Sequence, residues 1–437
     1  MAGRHQETLG LTAYVNARLL DPASGLDALG GLLVDGETIV DFGPGLFADG
    51  APDGAAVIDC HGLCLAPGLV DMRVQVREPG EEHKGTLESE GRAAVAGGVT
   101  TFVCLPNTSP PIDDMSVLEF VARRARKVAL AKMYTYGAIT KGLKGQEIAE
   151  MVLLAESGAV AFTDGISTIS DAGVLRQALS YTAPFGFLLI QHAEEPALGG
   201  GDMNAGATAT RLGLKGIPSQ AEVMIIERDI RLVELTNGRL HFAHISTAES
   251  VDVIAKAKAR GLKITCDTAP PYFALNETSV GDYRTFAKLS PPLRTEDDRK
   301  AIIEGIKSGA IDVIASDHAP QDEESKRLPF PLAAEGGVGL ETLLAITLDL
   351  YHNGHMSLLD ALDKVTRAPA SLLGLDAGRL AKGVRADLVL FDPDKGWQVT
   401  REGLRTKSKN TPFDERLVQG RVIRTVVDGR CVYEDGA

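Results

Sequence analysis

Short apolar, β-rich runs alternate with helically periodic stretches through the middle of this chain, and that alternation limits the fold more than any other feature. Eight strand-like runs stand out: Leu69–Val76, Thr100–Leu105, Lys132–Gly137, Val160–Thr163, Phe187–His192, Arg239–Ile245, Lys263–Thr268 and Ile311–Ser316. Helical patterns such as Ser116–Leu130, Ala172–Phe185, Ala221–Asn237 and Thr247–Arg260 separate them. Eight such units are the arithmetic of a (β/α)8 barrel. An open doubly wound sheet is the rival, because periodicity does not reveal closure. No Gly-x-Gly-x-x-Gly follows any of the runs, which removes the usual nucleotide reading.

Both ends of the chain read differently. Apolar runs at Ala13–Val15, Gly31–Val34 and Thr38–Val40 surround an Asp35-Gly36 turn, and Asp387–Phe391, Arg421–Val427 and Cys431–Tyr433 surround Asp428-Gly429. An Asp-Gly between apolar runs signals a hairpin. The expected organisation is a β domain built from residues 1–65 and 368–437, with the barrel at 66–367 between them.

Composition narrows the partners. Hydrophobic residues make up 44% and charged residues 24%, so the chain has a core to bury. The net charge of −14, from 45 basic and 59 acidic residues, argues against a nucleic-acid or anionic-membrane surface and favours small molecules or proteins. The N-terminal MAGRHQETLG has no apolar signal-like core and no apolar run is long enough to span a bilayer, so a cytoplasmic protein is expected. Five scattered cysteines (Cys60, Cys64, Cys104, Cys266, Cys431) suit reduced thiols better than a disulfide framework.

Barrel chemistry gathers where the strands end. Strand 1 runs into Arg77-Glu78-Pro79-Gly80 and strand 2 into Pro106-Asn107-Thr108. Strand 4 ends at Asp164, strand 5 at His192, strand 6 at His244, and strand 8 at Ser316-Asp317-His318. A lone histidine is more often a hydrogen-bonded structural residue than a ligand. Two histidines and two carboxylates at four strand ends instead form a donor set that suits zinc or a similar divalent ion, with an activated water as its product. His241 lies three residues before His244, on the other side of the pleat, and reads as structural.

Over essentially its whole length the chain resembles type I dihydroorotases of the cyclic amidohydrolase superfamily. The resemblance rests on PGLVDMRVQVREPG (67–80), GGVTTFVCLPNT (97–108), AFTDG (161–165), QHAEE (191–195), HIST (244–247), SPPLR (290–294), SDHAP (316–320) and GLET (339–342), in family order. It implies an amidohydrolase-type TIM barrel and the reversible closure of N-carbamoyl-L-aspartate to L-dihydroorotate in pyrimidine synthesis, with zinc at the barrel mouth. It further implies that Asp164, His192 and His244 hold metal, that Asp317 both holds metal and acts as general acid/base, and that Arg77 and Asn107 hold the substrate carboxylate.

The departures sit in the same site. Where the family places His-x-His at the end of strand 1, this chain has Arg73-Val74-Gln75. A guanidinium has no lone pair to give and a carboxamide is a poor zinc ligand, so at most one ion is expected. Ser290 and Gln321 replace the Asn and His usual at substrate-contacting positions, and Asp164 is single where a double Asp is usual. Three readings follow. The remaining donors could serve a mononuclear dihydroorotase. The chain could be a silent member kept as a partner of aspartate carbamoyltransferase, as family chains lacking the histidine pair are. Under any of the readings a homo-oligomer is expected. A hydantoinase or allantoinase fits less well, since those relatives usually carry a bridging lysine that strand 4 lacks. Because several site positions changed together, the chemistry favours silence. Arg73 is expected either to pair with Asp164 or Asp317 in place of the ion, or to swing out to solvent.

Overall fold

The computed structural model describes residues 10–436; residues 1–9 and 437 of the two expected terminal segments lie outside the described residues. The apolar runs of the middle form eight parallel strands that neighbour one another in chain order. They are strand 1 (Leu69–Val74), strand 2 (Val99–Cys104), strand 3 (Lys132–Gly137), strand 4 (Ala159–Thr163), strand 5 (Leu188–His192), strand 6 (Arg239–Ala243), strand 7 (Ile264–Thr268) and strand 8 (Val313–Ile314). Beyond strand 8 the chain returns to strand 1 through a Val74–His318 bridge. There Gln75 N donates to His318 O at 2.9 Å and His318 N donates to Arg73 O at 3.2 Å. The seam closes the barrel and excludes the open sheet.

The runs are continuous rather than alternating because both sheet faces are covered; all six residues of strand 2 are buried. Inside, Met72, Val103, Tyr136, Ala161, Ile190 and Val313 belong to one apolar cluster. The separating helices Met115–Val128, Ala172–Thr182, Gln220–Thr236 and Ala248–Ala259 lie within a few residues of their expected bounds. Three of them start where a side chain caps free N–H groups: Asp114 takes Ser116 N and Val117 N, Asp171 takes Gly173 N and Val174 N, and Thr247 takes Ser250 N.

The two ends share one second sheet. Its order is Arg430–Glu434, Leu417–Val427, Leu388–Gln398, Cys64–Pro67, Leu11–Asp21, Leu26–Asp35 and Thr38–Gly43, with Ala56–Asp59 paired to Leu11–Asp21. The halves meet where Leu388–Phe391 runs antiparallel to Cys64–Pro67, two residues before strand 1 begins. The hairpin turns of the two halves touch: Gly429, at φ 73°, lies against Gly36, whose carbonyl oxygen would be 1.9 Å from a Cβ at position 429. Only glycine fits there.

Candidate active site at the barrel mouth

Strand period alone carries His192 to the mouth. It follows Leu188 and Ile190, both in the interior cluster, at steps of two. His244 arrives differently. His241 shares a face with the interior residue Ala243 and is fixed by Thr265 Oγ1 at 2.8 Å and Asp267 Oδ2 at 2.9 Å, so it is structural. His244 would then point away from the interior, but its backbone adopts φ 40° and its N–H donates to Asp267 Oδ1 at 2.6 Å, which redirects the side chain. Asp317 also has positive φ, 51°. Two non-glycine residues held in the left-handed region at one mouth are the sort of strain that surrounding structure must impose.

Arg73 enters this mouth and does not swing to solvent; it is 2% exposed. Its Nε donates to Asp317 Oδ1 at 2.8 Å, and its Nη2 lies 3.3 Å from Gly165 O and 3.2 Å from His244 Nε2. His244 Nδ1 lies 3.0 Å from Asp317 Oδ2, and His192 Nδ1 lies 2.7 Å from His244 Nε2. A guanidinium only donates, so His244 Nε2 accepts from Arg73 and from His192, and His244 Nδ1–H donates to Asp317. Burial would raise the Asp317 carboxyl, but His244 and Arg73 together hold it well below the usual carboxylate range. Burial, with the positive charge of Arg73 nearby, pushes the His192 imidazole well below its ordinary value, so that ring stays neutral.

Asp164 is not part of this cluster. Its Oδ1 accepts from Ile139 N at 3.0 Å and Thr140 N at 2.9 Å, and the Thr140 hydroxyl donates to Oδ2. Burial nonetheless pushes its carboxyl up to about 6. Of the two carboxylates open to Arg73, Asp317 is the one paired. Gln75 turns to Asn107, whose Nδ2 donates to Gln75 Oε1 at 3.1 Å. Arg77 donates through Nε to Pro320 O at 3.0 Å and through Nη1 to Glu81 Oε2 at 3.0 Å, so a ligand carboxylate would compete with Glu81. Gln321 donates elsewhere, from its N–H to Asn410 Oδ1 and from its Nε2 to Glu335 O. Ser290 is half-buried, at the peptide preceding Pro291.

This donor set does not fit a metal ion as it stands. Both ring nitrogens of His244, both oxygens of Asp317 and Nδ1 of His192 are engaged with one another or with Arg73, and Asp164 faces Thr140. Among the described residues no group of three or more His, Cys, Asp or Glu side chains is disposed to hold a metal.

Sequence reasoning missed the supports of the site. Asp267 positions both His241 and His244, Thr140 takes up Asp164, and Glu90 receives His318 Nε2 at 2.6 Å. Asp267 alone had a signal, as a carboxylate near the end of strand 7.

Comparison with known proteins agrees with this architecture. A Dihydro-orotase-like family model matches residues 62–250, and an Amidohydrolase family model matches residues 345–433. A dihydroorotase of Anaplasma phagocytophilum is 45% identical over 428 residues, covering 96% of this chain and 95% of that protein. A dihydroorotase of Pelobacter propionicus is 44% identical over 419 residues, covering 96% and 98%. Among solved structures, L-hydantoinase (dihydropyrimidinase) from Arthrobacter aurescens superposes with a TM-score of 0.87 at 25% identity, covering 98% of this chain and 96% of that one. Dihydropyrimidinase from Brevibacillus agri gives 0.83 at 24% identity, covering 97% and 95%, a likeness of fold. An eight-stranded barrel with a sheet from both termini, and full-length relatives at this identity, establish that the chain belongs to the dihydroorotase family of the amidohydrolases.

Proposed function

We propose that this dihydroorotase-family chain is a catalytically silent member, which binds the family's small carboxylate substrates weakly and serves pyrimidine biosynthesis as a folded partner of aspartate carbamoyltransferase. The observation that carries the reading is the ion pair of Arg73 with Asp317. A general acid/base must take up and release a proton near the working pH. Asp317 is held well below the usual carboxylate range by its hydrogen bond from His244 and by the Arg73 guanidinium. The family generally uses a metal such as zinc to activate water; here the donors that would hold it are engaged with Arg73 and with one another.

Recognition of a carboxylate does not need that chemistry. Arg77 and Asn107 supply the donors, at the expense of Glu81 and Gln75. One charged contact contributes about 1.5–3 kcal/mol. That is less than the ~4 kcal/mol of a millimolar complex, so affinity for dihydroorotate or N-carbamoyl-aspartate is low. A hydantoinase-like activity is disfavoured because strand 4 ends Phe162-Thr163-Asp164, without a lysine. All five cysteines are free thiols, in keeping with the cytoplasm as its compartment.

The test is spectrophotometric assay of dihydroorotate opening and N-carbamoyl-aspartate closure by the purified chain with and without added zinc. No turnover above buffer is expected, and robust turnover in either direction would overturn the reading. Co-expression with aspartate carbamoyltransferase followed by size-exclusion chromatography examines the partner role, for which co-elution is expected. The same column run on the chain alone tests for the homo-oligomer.

A further inference from the structure

We infer that the Arg73 guanidinium is a built-in cation that closes the mouth to divalent metal, and that its removal opens a three-donor site formed by His192, His244 and Asp317. The inference rests on the silent-member reading and adds a cause for it.

Four geometric facts carry it. Arg73 touches two of the three side chains directly, Asp317 at 2.8 Å and His244 at 3.2 Å, and also faces the Gly165 carbonyl. The third, His192, reaches His244 Nε2 at 2.7 Å, the same nitrogen that Arg73 Nη2 faces, so the three side chains and the guanidinium form one connected cluster. The charges balance: the single cation faces one carboxylate, while Asp164 is satisfied by two backbone N–H groups and a hydroxyl on another loop. His244 and Asp317 both have left-handed backbones, at φ 40° and 51°, and both side chains meet Arg73.

With Arg73 shortened, Asp317 becomes a buried carboxylate with no cation, which is costly. Two imidazoles and a carboxylate with a fourth position for water match the preference of zinc and of its spectroscopic substitute cobalt(II). Once the guanidinium is gone, metal is the natural replacement.

The experiment titrates cobalt(II) and zinc into the wild-type chain, Arg73→Ala, Arg73→Lys and the double variant Arg73→Ala/His192→Ala. Arg73→Ala should take up one equivalent, with the intense visible bands of tetrahedral cobalt and a rise in Tm of several degrees on adding zinc. The wild type and Arg73→Lys, which keep the charge, should take up less than a tenth of an equivalent, and the double variant should lose at least tenfold in affinity relative to Arg73→Ala. One tight equivalent in the wild type, or no metal in an Arg73→Ala chain shown to be folded by circular dichroism, overturns the proposal. If Arg73→Ala does not fold, Arg73→Gln, which removes the charge and keeps a donor, is judged by the same two outcomes. The readout is metal uptake, so failure here leaves the turnover assay to decide silence independently.

Discussion

Arg73, just before the end of strand 1, donates through Nε to Asp317, just after strand 8, over 2.8 Å, beside the Val74–His318 bridge that closes the barrel. The ion pair therefore reinforces the seam at the point where the ring of strands would otherwise open. Its net worth is limited by the desolvation of both charges, but breaking it from one side leaves the other uncompensated. Arg73→Met is expected to cost about 3–5 kcal/mol in urea unfolding. Adding Asp317→Leu should recover a large part of that loss. A double variant as unstable as the sum of the two singles would show that the pair is not energetically coupled.

A second buried pair involves the residue next to Asp317. His318 Nε2 meets Glu90 Oε2 at 2.6 Å, and Thr406 Oγ1 donates to the same oxygen at 3.0 Å, so one carboxylate ties strand 8, the helix Leu87–Ala96 and the C-terminal segment together. Replacing Glu90 with Leu should destabilise the chain by about 3 kcal/mol or more, because His318 loses its acceptor inside the protein. Hydrogen exchange should increase around residues 404–410. Unchanged exchange there would mean that Glu90 does not anchor that segment.

Contact between the two hairpin turns is tested by glycine substitution. Gly36 and Gly429 both have positive φ, at 59° and 73°, but only position 429 has a backbone oxygen where a Cβ would go. Gly36→Ala should show the cost of the conformation alone, about 1 kcal/mol. Gly429→Ala should cost clearly more, since the halves of the terminal sheet must move apart. Equal losses in thermal unfolding would show that the turns are not in firm contact.

Lys326 gives the stability a pH dependence on the alkaline side. Its ammonium is buried, with Thr285 O at 3.1 Å and Lys288 O at 3.3 Å as acceptors. Burial, opposed by Glu335 and aided by Lys288, pushes its pKa down from 10.5 to about 7. Between those values the unfolded chain holds a proton that the folded chain has released, so stability increases as pH rises through this window. The slope from one proton is at most about 1.4 kcal/mol per pH unit. Lys326→Met should flatten it, read as the change in urea midpoint between pH 7 and pH 9. Parallel slopes in the two proteins would contradict the burial of a largely neutral lysine.

The sequence by itself determined the alternation of strands and helices, the hairpins at both ends and the placement of His192 at a strand terminus, because these follow from local periodicity and turn chemistry along one segment. It also placed Arg73 where the family carries a histidine, which was enough to raise the question of a replaced cation. Closure of the ring, the choice of Asp317 over Asp164 as the partner of Arg73, and the turning of His244 by Asp267 were decided by the tertiary structure. Periodicity fixes which face of its own strand a residue occupies, but not the distance between the ends of two strands or which loop fills the space between them. Asp164 shows the difference: its position at the end of strand 4 is legible in Phe162-Thr163-Asp164, whereas the Thr140 loop that takes its carboxylate comes from the neighbouring strand, 24 residues earlier. Only packing brings that loop within hydrogen-bonding distance.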